Sequence, residues 1–168
     1  MARSKVAVEW LKILSWLGEE YRCHLSFISQ PGSISTIESV ELELGYMLPE
    51  GLKSIHLLND GESSESQGLF GGWRLLSLTE QRDTQVQFLQ EYGQEGRVYH
   101  PVMESGGGDY YCIDLESGRI IEYSHEIGPD EVVSNSLEEF LSNFNKDIRL
   151  GKYKPMRGMN ALFHESEF

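Results

Sequence analysis

The sequence predicts an α+β domain in which a series of helices is followed by a meander of strands. Two observations lead to this prediction. In the first half of the chain, apolar residues recur with helical spacing after capping residues, whereas the second half alternates apolar and polar residues between glycine turns. With 168 residues, of which 39% are hydrophobic, the chain is long enough for one domain with a substantial core.

The N-terminal segment, residues 1–32, predicts a helical extension that packs on the domain. From residue 5 to 21, apolar side chains recur at spacings of three or four. They are Val6, Trp10, Leu14, Leu17 and Tyr21. Aromatic residues at such spacing usually belong to a core, although Trp10 and Trp16 would also suit a partner contact. Residues 25–29 predict a short strand.

Residues 35–61 predict two helices separated by a sharp stop. Ser35 and Glu38 have the spacing of a capping box, and Gly45 can close the first helix in the left-handed conformation. Pro49 suits the start of the second helix, because proline lacks the N–H that a first turn leaves unbonded. The two apolar stripes consist of Ile37, Val40 and Leu44 and of Leu52, Ile55 and Leu58.

The next stretch, residues 60–68, is polar and acidic, which predicts an exposed and mobile loop. An apolar run then returns the chain to the core. Ser77 and Glu80 repeat the capping-box spacing and start a further helix. Val86 and Leu89 are the candidates for the buried face of that helix.

The second half of the chain predicts a meander of strands. The predicted strands are residues 97–103, 110–115 and 119–123, with a brief one at 132–133. Pro101 indicates an edge position or a bulge, because proline cannot donate to a neighbouring strand. Alternation places Cys112 and Ile113 on opposite faces. Residues 116–118 form the expected hairpin loop, with glycine at the left-handed position.

Ser136 and Glu139 predict the capped start of a last helix. Its apolar face consists of Leu137, Phe140, Leu141 and Phe144. Residues 148–168 show little periodicity and carry an excess of Lys and Arg, so they predict a basic C-terminal tail that is either partly ordered or lies over the domain.

Four pieces of the sequence, in this order, resemble the SUKH superfamily. They are the helix–Leu-Pro–helix–Asn-x-Gly series of residues 35–61, the aromatic strand of 73–80, the glycine–aspartate strand entry of 106–115 and the closing helix of 136–141. The resemblance covers residues 33–147, which we take as the SUKH-like domain. It implies a mainly antiparallel β-sheet with helices packed against it.

The acidity of the chain lies in this domain. The net charge of the whole chain is −13, but residues 31–147 hold 22 Asp and Glu against six Lys and Arg, a net charge of −16. Such a surface repels nucleic acid and anionic lipid and attracts basic proteins. We therefore expect a basic protein partner and neither a nucleic acid nor a membrane. The alternative is that the acidic residues only keep the protein soluble.

No motif predicts an enzyme, a metal site or a cofactor site. Cys23 and Cys112 share no C-x-x-C spacing, and the adjacent pair Cys23–His24 lacks any oxyanion-stabilising partner. Residues 106–108 have the glycine density of a phosphate loop, but a strand follows them rather than a helix. The histidines show no metal-ligand spacing.

The resemblance implies a non-catalytic binding module, most often an immunity protein that neutralises a toxin. Many such toxins are nucleases, whose substrate-binding clefts are basic. The alternative is a regulatory scaffold that binds endogenous partners, as in cell-wall assembly. The short, charged helical stretches predict a cytoplasmic protein. The expected partner surface consists of Asp60, Glu62, Glu65 and Trp73, with the tryptophan as anchor. The competing interpretation places Trp73 in the core and leaves the loop as a solvated connection.

Overall fold

Helices pack against both faces of an antiparallel sheet. We describe a computed structural model of the chain, which covers residues 3–168 apart from the side chain of Arg97. The helices are α1 (Lys5–Glu20), α2 (Ile34–Leu44), α3 (Glu50–Leu58), α4 (Leu78–Tyr92) and α5 (Leu137–Arg149). Short 3₁₀ helices occupy Arg22–Phe27, Gly93–Val98 and Glu165–Glu167.

Five strands form the main sheet in the order β1-β2-β3-β4-β5, so that every strand pairs with its neighbour in sequence. They are β1 (Arg74–Leu75), β2 (Tyr99–Glu104), β3 (Tyr110–Asp114), β4 (Ile120–Ser124) and β5 (Gly128–Ser134). All pairs are antiparallel. The register of β2 against β3 shifts between Pro101 and Met103, which confirms the predicted bulge. The α+β prediction is therefore confirmed.

The main core lies on the face of the sheet that α1, α3 and α5 cover. Its helical members include Trp10, Ile13, Leu17, Leu52, Ile55, Leu141, Phe144 and Ile148. Its sheet members include Leu75, Val102, Met103, Ile113 and Ile120. Helix α1 is fixed to α5 by Asn145, whose Nδ2 donates to the carbonyl oxygen of Glu9 over 2.9 Å. The N-terminal helix is thus a full contributor to the core.

Helix α4 covers part of the opposite face. Phe88 of α4 packs there with Cys112, Ile121 and Tyr123. Cys112 and Ile113 belong to different clusters, which confirms that they face opposite sides of β3. Helix α2 lies beside α4 rather than on the sheet, because its apolar stripe packs against Leu78.

Helix α2 begins two residues before the predicted capping box. Ser33, not Ser35, is the N-cap, since its extended backbone places its hydroxyl to accept from the N–H of Thr36. The rest of the prediction is confirmed: Gly45 closes the helix with φ of 77°. The predicted apolar face is buried at Ile37, Val40 and Leu44.

The predicted buried face of α4 is wrong. Val86 is 40% exposed and Leu89 is only partly buried. The face that packs inward carries Leu78, Gln81, Gln85 and Phe88. Two of these residues are glutamines, whose polarity hid the true stripe from a pattern based on apolar residues. Their amides are hydrogen-bonded, which makes their burial possible.

Three further predictions need correction. The segment predicted as a strand at residues 25–29 is mostly the 3₁₀ helix Arg22–Phe27, and only Ile28 forms an isolated bridge, to Glu62. Strand β5 is longer than the brief one predicted. Phe140, predicted on the apolar face of the last helix, is only partly buried. So is Leu115, which the two-residue period of a strand places on the same face as Ile113.

The C-terminal segment folds back onto the domain. Strands β6 (Tyr153–Pro155) and β7 (Leu162–His164) form an antiparallel hairpin. Leu162 is a member of the main core, and Ala161 bridges to Gly68. The segment predicted as a basic tail, residues 148–168, therefore includes the end of α5 and an ordered hairpin.

Leu44→Ala should lower the free energy of unfolding by about 3 kcal/mol, because the lost side chain leaves a cavity between α2 and α4. Urea denaturation followed by far-UV circular dichroism measures this. Leu42→Ala is the matched control, since Leu42 on the same helix is 84% exposed. Equal stability of the two variants would contradict the packing of α2.

Candidate protein-binding surface

The loop predicted to be exposed, residues 60–68, is folded against the core. Its backbone is hydrogen-bonded to distant segments: the N–H of Glu62 donates to Leu75, and that of Gln67 donates to Asn160. Glu62 is only 1% exposed and Ser66 is also buried. The prediction of a mobile acidic loop is therefore wrong for its central part.

Glu62 is an internal anchor. Its carboxylate oxygens accept from the backbone N–H of Leu69 at 3.1 Å and of Leu75 at 2.7 Å. They also accept from the hydroxyl of Ser66 at 2.6 Å and lie 3.0 Å from Nε2 of His24. Because four donors surround this carboxylate, it is satisfied without water and cannot reach a partner.

Asp60 belongs to a second polar network. One of its carboxylate oxygens accepts from Nδ1 of His56 at 2.9 Å and from the N–H of Leu78 at 2.9 Å. Burial acts to raise the pKa of Asp60, but these two hydrogen bonds outweigh it and hold the pKa below its ordinary value. Asp60 therefore ties the end of α3 to the start of α4.

From Asp60 and His56 the network continues as a chain of hydrogen bonds through Gln81 and His100 to Tyr46. The Nε2 of Gln81 donates to Nε2 of His56 at 2.8 Å, and the same amide nitrogen donates to the carbonyl of Leu76. The Oε1 of Gln81 accepts from Nε2 of His100 at 2.8 Å. Nδ1 of His100 then accepts from the hydroxyl of Tyr46 at 2.8 Å. In this arrangement His100 is a neutral imidazole, with one donating and one accepting ring nitrogen.

Trp73 and Glu65 also reach the surface, as does part of the Asp60 side chain. Trp73 is partly buried against the main core and stacks on Tyr111, with ring centroids 3.7 Å apart. Glu65 is exposed, and its backbone carbonyl accepts from Nδ2 of Asn160. Of the four predicted residues, Glu62 is thus buried in an internal network, and a role in binding remains a prediction for Asp60, Glu65 and Trp73.

The described part of the chain contains no group of three or more His, Cys, Asp or Glu that could hold a metal ion. Cys112 is buried, and burial raises the pKa of its thiol well above the ordinary value, which disfavours the nucleophilic thiolate. Cys23 is exposed. Among residues 3–168, no helix has the length and apolar character needed to cross a membrane.

The structure also shows a cleft that the sequence did not indicate. It lies beyond the C-terminal end of α4 and has a volume of about 490 Å³. Its aromatic lining is Tyr92, Tyr99 and Tyr123, and its acidic lining is Glu95, Glu116 and Glu126. We call these six residues the tyrosine cleft. No motif marks them, because they come from four separate parts of the chain.

A comparison with known families adds to this picture. Residues 31–143 match the SMI1/KNR4 family (SUKH-1). The match covers about two thirds of the chain and extends from the start of α2 into α5, so it includes the whole five-stranded sheet. A comparison with curated proteins finds no match. The chain therefore belongs to the SMI1/KNR4 family (SUKH-1), within the SUKH superfamily that its sequence pieces resemble.

Proposed function

We propose that this protein is a non-catalytic cytoplasmic immunity protein that neutralises a toxin by binding it. Membership of the family supports a protein-binding role, in immunity or in regulation, at the level of the family. The observation that carries the finer proposal is the charge: residues 31–147, which include the family match, have a net charge of −16. The partner is then a basic protein rather than a nucleic acid or a membrane.

A toxin that cuts nucleic acid needs a positively charged cleft for its substrate. An acidic protein is attracted to that cleft, and the opposite charges raise the association rate. Such binding needs no catalytic groups. Once seated, the protein blocks the substrate. This mechanism requires a rigid acidic surface, and the internal anchoring of Glu62 and Asp60 contributes that rigidity.

The test is co-expression with the C-terminal domain of a large secreted protein encoded beside the gene of this chain. We expect the toxin domain alone to stop growth, and its co-expression with this protein to restore growth. The purified pair should associate at least roughly tenfold more slowly at 0.5 M than at 0.05 M salt, because salt screens the steering charges.

An unrelated toxin domain of similar charge is the control, and it should remain toxic. A cognate domain that kills cells with or without this protein would contradict toxin neutralisation. The alternative, a regulatory scaffold for endogenous partners, predicts instead that the gene lies among housekeeping genes with no toxin domain beside it.

A further inference from the structure

The tyrosine cleft brings three aromatic rings together beside the C-terminal end of α4. Tyr123 of β4 is its floor and is only 4% exposed. Its ring centroid lies 5.4 Å from that of Tyr92 and 5.7 Å from that of Tyr99, at interplanar angles of 64° and 53°. The rings are therefore tilted relative to one another, and Phe88 of α4 stacks on Tyr123 with ring centroids 4.8 Å apart. Tyr92 and Tyr99 are the partly exposed rings of the cleft.

The acidic residues of the cleft are held by a fixed backbone. Gln85 of α4 is buried and donates its Nε2 to the carbonyl of Gly96 at 3.0 Å. This bond anchors the 3₁₀ helix Gly93–Val98, which carries Glu95. Glu116 stands on the hairpin between β3 and β4, where Asp114 accepts from its N–H at 2.9 Å. The carboxylates thus surround the rings from two sides.

Nine of the described acidic side chains pair with Lys or Arg, among them Glu9 with Lys12 and Glu50 with Lys53. Among the side chains that the structure describes, none of the cleft's Glu95, Glu116 and Glu126 pairs with Lys or Arg.

Glu126 has a histidine beside it, since Nε2 of His125 lies 4.0 Å from its carboxylate. The Nδ1 of the same histidine bonds to Asp109 at 2.8 Å. Burial, followed by the negative charges of Asp114, Glu116 and Glu95, raises the pKa of Tyr99. The cleft therefore combines acidic side chains with partly exposed tyrosine rings.

We propose that the tyrosine cleft binds a Lys- or Arg-rich segment of the partner protein. A cationic side chain is attracted to the face of a tyrosine ring, and guanidinium groups also stack on such rings. The surrounding carboxylates pair with the same cation, and the exposed Ile127 at the rim meets its aliphatic stem. The proposal rests on the proposed function, since it names the surface through which a basic partner is held.

The test uses a peptide of six alternating Arg and Gly residues, and a control peptide with Gln in place of Arg. We expect amide resonances around the tyrosine cleft to shift on titration with the Arg peptide only. The triple variant E95Q/E116Q/E126Q should bind it at least tenfold more weakly. The matched triple variant E20Q/E38Q/E165Q changes the same charge at exposed positions outside the cleft and should lose less than twofold.

The rings are tested separately. Tyr99→Leu removes the aromatic face but keeps an apolar side chain, and it should weaken binding at least fivefold, whereas Tyr99→Phe keeps the face and should not. Equal losses in the two triple variants, or shifts centred elsewhere on the molecule, would overturn the proposal. A toxin domain that binds the cleft triple variant with unchanged Kd would also overturn it, while leaving toxin neutralisation intact.

Discussion

Replacing Glu62 by alanine is expected to lower the free energy of unfolding by at least about 4 kcal/mol. The change leaves the N–H groups of Leu69 and Leu75 and the hydroxyl of Ser66 without their acceptor inside the protein. His24 loses its partner as well. Each buried polar group that loses its partner keeps the full cost of leaving water, about 1–3 kcal/mol, and four such groups surround this carboxylate.

Equilibrium denaturation of the purified variants measures this loss. Glu65→Gln is the control, because Glu65 lies in the same segment but is exposed, and its replacement should change stability by less than about 0.5 kcal/mol. The stability loss of Glu62→Gln should lie between those of Glu62→Ala and Glu65→Gln, since its one amide oxygen can still accept a hydrogen bond. If Glu62→Ala were as stable as Glu65→Gln, the carboxylate would not be an anchor of this segment.

Local signals in the sequence predicted the elements that depend on local interactions. Gly118 adopts φ of 76° in the hairpin after β3, as its place in the loop required. Ser136 accepts from the N–H of Glu139 and starts α5. Ile113 and Leu141 are buried because they lie on the apolar faces of their own elements. Such features need only a few neighbouring residues and can be read from them.

Buried polar residues could not be predicted in this way. A glutamate in a polar stretch normally indicates an exposed loop, and the sequence around Glu62 predicts such a loop. Its burial depends on His24, which is 38 residues away in the chain. His100 likewise depends on Tyr46, 54 residues away. A local pattern contains no information about such partners, because the polar group is stabilised only when the fold has brought them together.

The tyrosine cleft was missed for a related reason. Tyr92 ends α4, Tyr99 starts β2 and Tyr123 lies in β4, so the rings meet only in the folded protein. Each tyrosine alone suits a half-buried position, and neither their spacing nor their neighbours form a motif. The excess of acidic residues was visible in the sequence, but its position beside these rings was not.

Acid is expected to destabilise the protein through His100. Burial, with a smaller contribution from the neighbouring His56, lowers the pKa of His100 to about 3. The unfolded chain has an ordinary histidine pKa of about 6.5 and therefore takes up the proton first as the pH falls. The stabilisation is complete above about pH 6.5 and is lost between about pH 6.5 and pH 3, with a total on the order of 4 kcal/mol. The hydrogen bond from Tyr46 also favours the neutral form of His100, because Nδ1 of this histidine can accept only when it carries no proton.

Unfolding free energies at pH 7 and pH 4.5 decide the matter. The wild-type chain should lose about 2–3 kcal/mol more over this interval than His100→Gln, which lacks the titrating group. His125→Gln is the control, because the pKa shift of His125 on folding has the opposite sign to that of His100. The hydrogen bond to Asp109 raises the pKa of His125, so this group stabilises the fold at low pH and its stabilisation is lost as the pH rises through the folded pKa. Its removal should make the acid loss steeper. An equal pH dependence of the wild type and His100→Gln would show that His100 does not carry the acid sensitivity.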